Sequence, residues 1–324
     1  MTLRNPFSTL TIELFGALFL LAMLGCERAQ DEKHQPTSDQ PYLVVLGVAQ
    51  DAGYPQAGQT KEWDQVKSGK RTLGLATSLG LVDPISKERW LFEATPHFNR
   101  QLDLMDELST TAQYPYDGIF LTHAHIGHYT GLMHLGREAM GTKQVPVYTM
   151  PGMKYFLTNN GPWSQLVSLN NISLKPLKQK QKVQLNERLS VTPIIVPHRD
   201  EFSETVGFLI SANNKKLLFI PDIDKWEKWN ESIIEWIQQV DIALLDATFY
   251  QNGEIPGRDM SEIPHPFVEE SMALFSNLST EDKAKVHFIH FNHTNPLLFG
   301  NTPETQSVRD GGFNVAKQGQ LIQF

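Results

Sequence analysis

Leu121-Thr122-His123-Ala124-His125-Ile126-Gly127-His128 follows the apolar run Gly118-Ile119-Phe120 and places three histidines within six residues. Neutral imidazole is a borderline ligand suited to Zn²⁺, Fe or Ni, so the cluster reads as a transition-metal site. The apolar run predicts a short strand ending at the histidines, and residues 129–140 predict a helix beyond them. The ligands then occupy a strand-to-helix turn, which holds the binding loop at both ends.

Working outward, strands are predicted over residues 42–48, 72–82, 89–92, 119–121, 146–149, 189–196, 205–211, 216–220, 242–245 and 286–291. Helices are predicted over 225–240, with Asp224 as cap and a Trp226/Trp229/Ile233/Trp236/Ile237 stripe facing the core, and over 266–275. Strands alternating with helices in one continuous pattern predict a single α/β domain over residues 42–324. The chain has 324 residues, 40% hydrophobic and 20% charged, with a net charge of -8. That balance gives no electrostatic footprint for a nucleic-acid backbone, so the expected partner is a small-molecule substrate. The oligomeric state is not legible.

The N-terminus differs in kind. Arg4 precedes an apolar run over residues 14–24, then Gly25-Cys26 and a polar stretch. The run is short for a membrane span and has a signal-peptide layout. Leu21-Ala22-Met23-Leu24-Gly25-Cys26 resembles a bacterial lipoprotein signal, and Cys26 is the sole cysteine. The expectation is a signal over residues 1–26 ending at an acylated Cys26, a tether over 27–41, and a lipid-anchored domain in the cell envelope facing the periplasm or exterior.

Chemistry is expected where strands end. His198 follows Ile194-Ile195-Val196-Pro197, Asp222 follows Leu217 to Pro221 with Asp224 beyond it, Asp246 follows Ile242 to Leu245, and His290 and His293 close the run from Val286. With the triplet they form a pool large enough for one or two divalent ions, with Zn²⁺ preferred and Fe or Mn²⁺ as alternatives.

This ligand order, with Gly47-Val48-Ala49-Gln50-Asp51-Ala52-Gly53-Tyr54-Pro55-Gln56, Tyr129-Thr130-Gly131-Leu132 and His293-Thr294-Asn295-Pro296, resembles the metallo-β-lactamase superfamily. Within it, the pyrroloquinoline quinone biosynthesis protein B group is most similar. The resemblance implies a four-layer αββα sandwich with a metal site at one edge of the paired sheets. It implies a first ion on His123, His125 and His198, and a second on His128 and His293, with Asp222 bridging. The family's usual carboxylate before the third motif histidine is replaced by Gly127, so the second ion is expected to bind more weakly, and Gly127→Asp to tighten it. Asp51, His97, Asp224, Asp246 and His265 are candidate replacements for the lost proton acceptor. His265 is favoured because its segment resembles the auxiliary histidine region of phosphodiesterase-type relatives.

Three functions follow as expectations: a metal-dependent envelope hydrolase of a small anionic ester, foremost a phosphodiester; a role in quinone cofactor formation; or a metal-dependent binding protein without turnover.

Overall fold

The computed structural model describes residues 39–109 and 116–324; the expected signal and Cys26 lie outside the described residues. Alternate residues of the first strand, β1 (Tyr42–Gly47), enter different cores. Leu43 and Val45 join a large apolar cluster, whereas Tyr42, Val44 and Leu46 join a second. A strand buried on both faces must lie between two layers, which explains its near-continuous apolar sequence.

Five more strands complete most of this sheet: β2 (Ser78–Val82), β3 (Arg89–Phe92), β4 (Gly118–Phe120), β5 (Val145–Thr149) and β6 (Ile172–Pro176). The second sheet holds β7 (Val183–Gln184), β8 (Leu189–Ile195), β9 (Val206–Ala212), β10 (Lys215–Ile220), β11 (Ile242–Asp246), β12 (Val286–Ile289) and β13 (Asn314–Val315). The last strand, β14 (Leu321–Gln323), returns to pair antiparallel with β1. The orders are β14-β1-β2-β3-β4-β5-β6 and β13-β12-β11-β10-β9-β8-β7.

Aromatic packing joins the sheets. Phe208 meets Phe92 and Phe120 edge-on, with ring centroids 5.5 and 5.6 Å apart. Outside the first sheet, the helix Phe98–Leu108 buries Phe98 and Met105 in the second core; outside the other, Ile233–Gln239 buries Ile233 and Ile237 in the large one. The result is the αββα sandwich. Within each sheet one half is antiparallel and the other parallel, and β3, β4, β10, β11 and β12 belong to the parallel runs. Their carboxyl ends deliver Glu93, His123, Asp222, Asp246 and His290.

Two helical expectations need correction. The stretch 225–240 divides into a 3₁₀ turn, Trp226–Lys228, and the helix Ile233–Gln239, which Ser232 caps by accepting from the Glu235 amide. The indoles explain the break: Trp226 donates to Ser271 Oγ and Trp229 to the Ile195 carbonyl, so the two anchor on different elements. Asp224 is drawn towards His198 and Lys228 instead of capping a helix. Beyond the motif, a single α-turn, Ile126–Tyr129, gives way to a 3₁₀ turn, Thr130–Leu135, in place of the helix expected over 129–140.

Candidate metal centre

The motif histidines leave β4 in extended backbone, and the chain turns helical only after His125. This puts His123 Nε2 2.8 Å from His125 Nδ1, both atoms facing one point. Asp222 Oδ2 reaches the same place, 3.4 Å from His123 Nε2 and 3.3 Å from His198 Nε2. The four side chains could share one ion. Thr122 Oγ1 lies 2.8 Å from His123 Nδ1 and fixes the ring's orientation.

A second grouping adjoins the first. His128 Nε2 lies 3.6 Å from Asp222 Oδ2 and 3.7 Å from Asp51 Oδ1, and His290 completes a set with Asp51 and His128. Asp222 Oδ2 therefore stands between the two halves of the centre. Asp246 and His265 form a third set with Asp222. His265 Nδ1 lies 2.8 Å from Asp246 Oδ2 and 3.2 Å from Asp222 Oδ1.

The hydrogen-bond pattern determines which nitrogens remain available. Asp246 Oδ1 accepts from the Thr248 amide and hydroxyl. With its one proton given to Asp246, Thr248 Oγ1 can only accept from His290 Nδ1, 3.0 Å away. That leaves the lone pair on His290 Nε2, which is buried without a hydrogen bond, as are His128 Nε2 and His198 Nε2. Each such orphan costs about 1–3 kcal/mol, so several converging on one spot suit a cation that all can bind. The donor set, imidazole with carboxylate, fits a divalent transition metal.

Electrostatics divide the histidines. Burial, reinforced by the neighbouring His128, holds His123 well below the usual histidine range. Burial also opposes charge on His128, but Glu93, Asp222 and Asp51 outweigh it and lift the ring to about 9. His265 rises to about 9 in the same way, against burial, through Asp246 and Asp222. Asp222 itself is held well below the carboxylate range: burial works against this, but His265 and His198 prevail.

A family model, the Beta-lactamase superfamily domain, matches residues 88–291, more than half of the chain. The chain belongs to the beta-lactamase superfamily. In that superfamily it is similar to Coenzyme PQQ synthesis protein B of Klebsiella pneumoniae (strain 342), with 25% identity over 310 residues, 87% of this chain and 97% of the relative. The same-named protein of Xanthomonas axonopodis pv. citri (strain 306) is 24% identical over 316 residues, 86% and 99% of the two chains. Among solved structures, Zn(2+)-bound PqqB from Methylobacterium extorquens shares the fold with a TM-score of 0.73 and 21% identity, covering 87% of this chain and 100% of that one. A diphosphatase from the PhnP family does so with a TM-score of 0.61 and 18% identity, covering 88% and 97%.

The structure brings together His123, His125, His128, His198, Asp222, Asp246, His265 and His290, with Asp51 beside them. Asp224 Oδ1 lies 3.4 Å behind His198 Nδ1. His293, which the superfamily resemblance implied as a ligand, belongs to none of the three groupings: its Nδ1 lies 2.7 Å from Glu62 Oε1. His290 takes that place because β12 ends at Ile289 and His290 turns inward at φ +70°. His97 also stands apart, its Nδ1 accepting from the Ala76 amide. Sequence reasoning missed Glu93, a fully buried acid whose Oε2 lies 3.3 Å from His128 Nδ1, and also Thr248. Glu93 follows the apolar strand β3 directly, so the rule that found Asp222 would have found it.

A cavity of about 390 Å³ opens on the centre, lined by Asp51, His125, Arg199, Glu201, Asp222 and His265 among others. Ile126 and Phe202 also line it and are 70% and 62% exposed. A larger cavity, about 510 Å³, is lined by Arg71, Phe299 and Arg309 but by none of the metal-site groups, so the smaller one is where ligand and metal can meet.

Proposed function

We propose that this chain is a metal-dependent hydrolase of a small anionic ester, foremost a phosphodiester. The observation that carries the proposal is the opening of a 390 Å³ cavity onto a centre that pools two ligand sets around one shared carboxylate, Asp222. That volume suits a metabolite-sized ligand. A divalent ion held by His123, His125, His198 and Asp222 would supply Lewis-acid polarisation and a water nucleophile near neutral pH.

The chain's own residues supply the rest. Arg199, 3.7 Å from Glu201 on the same wall, would turn to meet an anionic substrate, while Ile126 and Phe202 offer apolar contact at the mouth. His265 was expected as a proton acceptor, but Asp246 and Asp222 lift the ring to about 9 in the metal-free chain, and Asp246, which a first ion leaves free, continues to favour the protonated form. Its role in the proposal is therefore that of a donor: Asp246 holds Nδ1, no described protein group bonds Nε2, and the ring lines the cavity, placed to protonate a leaving oxygen.

The test is turnover of zinc- and manganese-loaded protein on phosphodiester, lactone, thioester and β-lactam panels. Phosphodiester turnover above a His123→Ala control is expected. Failure of every panel to exceed that control would discard the hydrolase reading. A second reading, participation in quinone cofactor formation, draws on the 25% identity to Coenzyme PQQ synthesis protein B along nearly the full length of that relative. Restored quinone synthesis in a strain lacking that protein would favour it.

The proposal extends to location. The apolar run over 14–24 and the sole cysteine, Cys26, support export and lipid attachment to the cell envelope. Among the described residues no helix is long and apolar enough to cross a membrane. Intact-mass analysis should find a lipid-modified chain starting at Cys26; a soluble product retaining Met1 would refute the anchor.

A further inference from the structure

Gly127 stands where the superfamily motif would carry a carboxylate, and the space beside it is occupied. A Cβ built on Gly127 would lie 2.5 Å from Asp51 Oδ1 and 2.5 Å from Asp51 Cα, far inside contact distance. The loop after β1 thus fits against residue 127 only because that residue has no side chain, and it brings its own carboxylate to the vacated volume. We propose that Asp51 replaces the motif carboxylate, so that Asp51, His128, His290 and the shared Asp222 hold a second divalent ion. The inference rests on the divalent-metal reading of the centre, and not on hydrolysis.

Three observations converge on Asp51. Its Oδ1 lies 3.7 Å from His128 Nε2, and it can present a ligand atom together with His128 and His290. The other two members are prepared for a metal: His290 Nε2 and His128 Nε2 are buried and unpartnered, and the Thr248 hydrogen bond puts the His290 proton on Nδ1. The backbone then ties the Asp51 loop to the His290 segment. The Gln50 amide donates to the Phe291 carbonyl (2.7 Å), the Phe291 amide to the Val48 carbonyl (2.8 Å), and Asn292 Nδ2 to Gln50 Oε1 (2.6 Å).

The loop's conformation fits the same purpose. Asp51 has φ +39°, and the following Gly53 closes a turn by donating to the Gln50 carbonyl. Aspartate tolerates the left-handed region better than most residues, yet such a conformation persists only where surrounding contacts fix it. Here those contacts lead to the metal centre. The superfamily resemblance suggested that Gly127→Asp would tighten the second site. The structure reverses this expectation, because any side chain at 127 must push the Asp51 backbone away.

A double-mutant cycle read by calorimetric Zn²⁺ titration tests the proposal, with metal content checked by mass spectrometry and folding by circular dichroism. The unmodified protein should take two equivalents. Asp51→Asn, close to isosteric, should weaken the second by at least ~10-fold and leave the first unchanged. Gly127→Ala should also weaken the second, by displacing the Asp51 turn, but should add little in the Asp51→Asn background because the two changes remove one interaction. A second equivalent unaffected by Asp51→Asn, an equal Gly127→Ala penalty in both backgrounds, or a single equivalent in the unmodified protein would overturn the assignment. Absence of any Zn²⁺ binding would instead reject the metal reading beneath it.

Discussion

On the His125 side of the centre, ligands come from three connections just beyond apolar strands and rest on relaxed backbone; on the His290 side, His128 continues the same motif turn while Asp51 and His290 come from distant loops held in costly conformations. His123, His125, His198 and Asp222 each follow directly from the end of an apolar strand. The other half needs Asp51 at φ +39° and His290 at φ +70°, and Glu93, which bears on His128, sits at φ +78°. Each such residue costs of the order of 1–3 kcal/mol and must be fixed by its surroundings. One half of the centre is thus set by local chain direction. The other is assembled by tertiary contact, and so depends on more residues that touch no ligand.

Breaking the comparison altogether requires Asp222, which belongs to the first set, lies 3.6 Å from His128 of the second, and is proposed to serve both. Asp222→Ala should weaken both metal equivalents by more than ~100-fold and reduce turnover to the His123→Ala background; loss of only one equivalent would mean that the carboxylate serves a single side. His265 tests the chemistry that both halves feed. His265→Gln should cost about 10²–10⁴-fold in kcat. Because Asp246 and Asp222 raise the ring of the metal-free chain to about 9 and a cation on Asp222 offsets part of that rise, activity of the loaded protein should fall as pH rises through a value between about 6.5 and about 9, and the variant's profile should lose that limb.

Glu93 separates the halves. Glu93→Gln removes the buried charge beside His128 and should weaken the second Zn²⁺ equivalent by about 10–100-fold while sparing the first. Parallel weakening of both equivalents would count against independent halves.

The smallest effect is a control on pH itself. Burial lowers His287, on β12, to about 4, against an ordinary 6.5 in the unfolded chain. The unfolded state binds the proton more readily between those values, so this histidine's contribution is intact above about 6.5 and is lost as pH falls towards 4. His287→Gln should flatten the fall of Tm over that window without altering Zn²⁺ stoichiometry, which separates acid sensitivity of the scaffold from loss of metal. An unchanged Tm profile would remove His287 as a cause.

The contrast also explains what could be read before the fold was known. The sandwich was legible because strands buried on both faces carry continuous apolar runs, as in β1. The first ligand set was legible because strand ends announce themselves. The choice between His290 and His293 was not, since a single positive-φ residue turns one inward and leaves the other to Glu62. Nor could the relation of Gly127 to Asp51 be read, because nothing local to either residue records that they touch. The aromatic stripe over 225–240 identified core residues correctly but implied one helix, because indole hydrogen bonds to separate elements are invisible in a periodic pattern.

The central claim is that two ion sites share Asp222, one built from the motif side and one from the Asp51 side. Crystals of the Zn²⁺-loaded protein, measured on both sides of the zinc absorption edge, test it most directly. The account predicts two anomalous peaks, one among His123, His125, His198 and Asp222 and one among Asp51, His128, His290 and Asp222. A single peak, or a second peak held by His293 with Asp51 turned away, would contradict it.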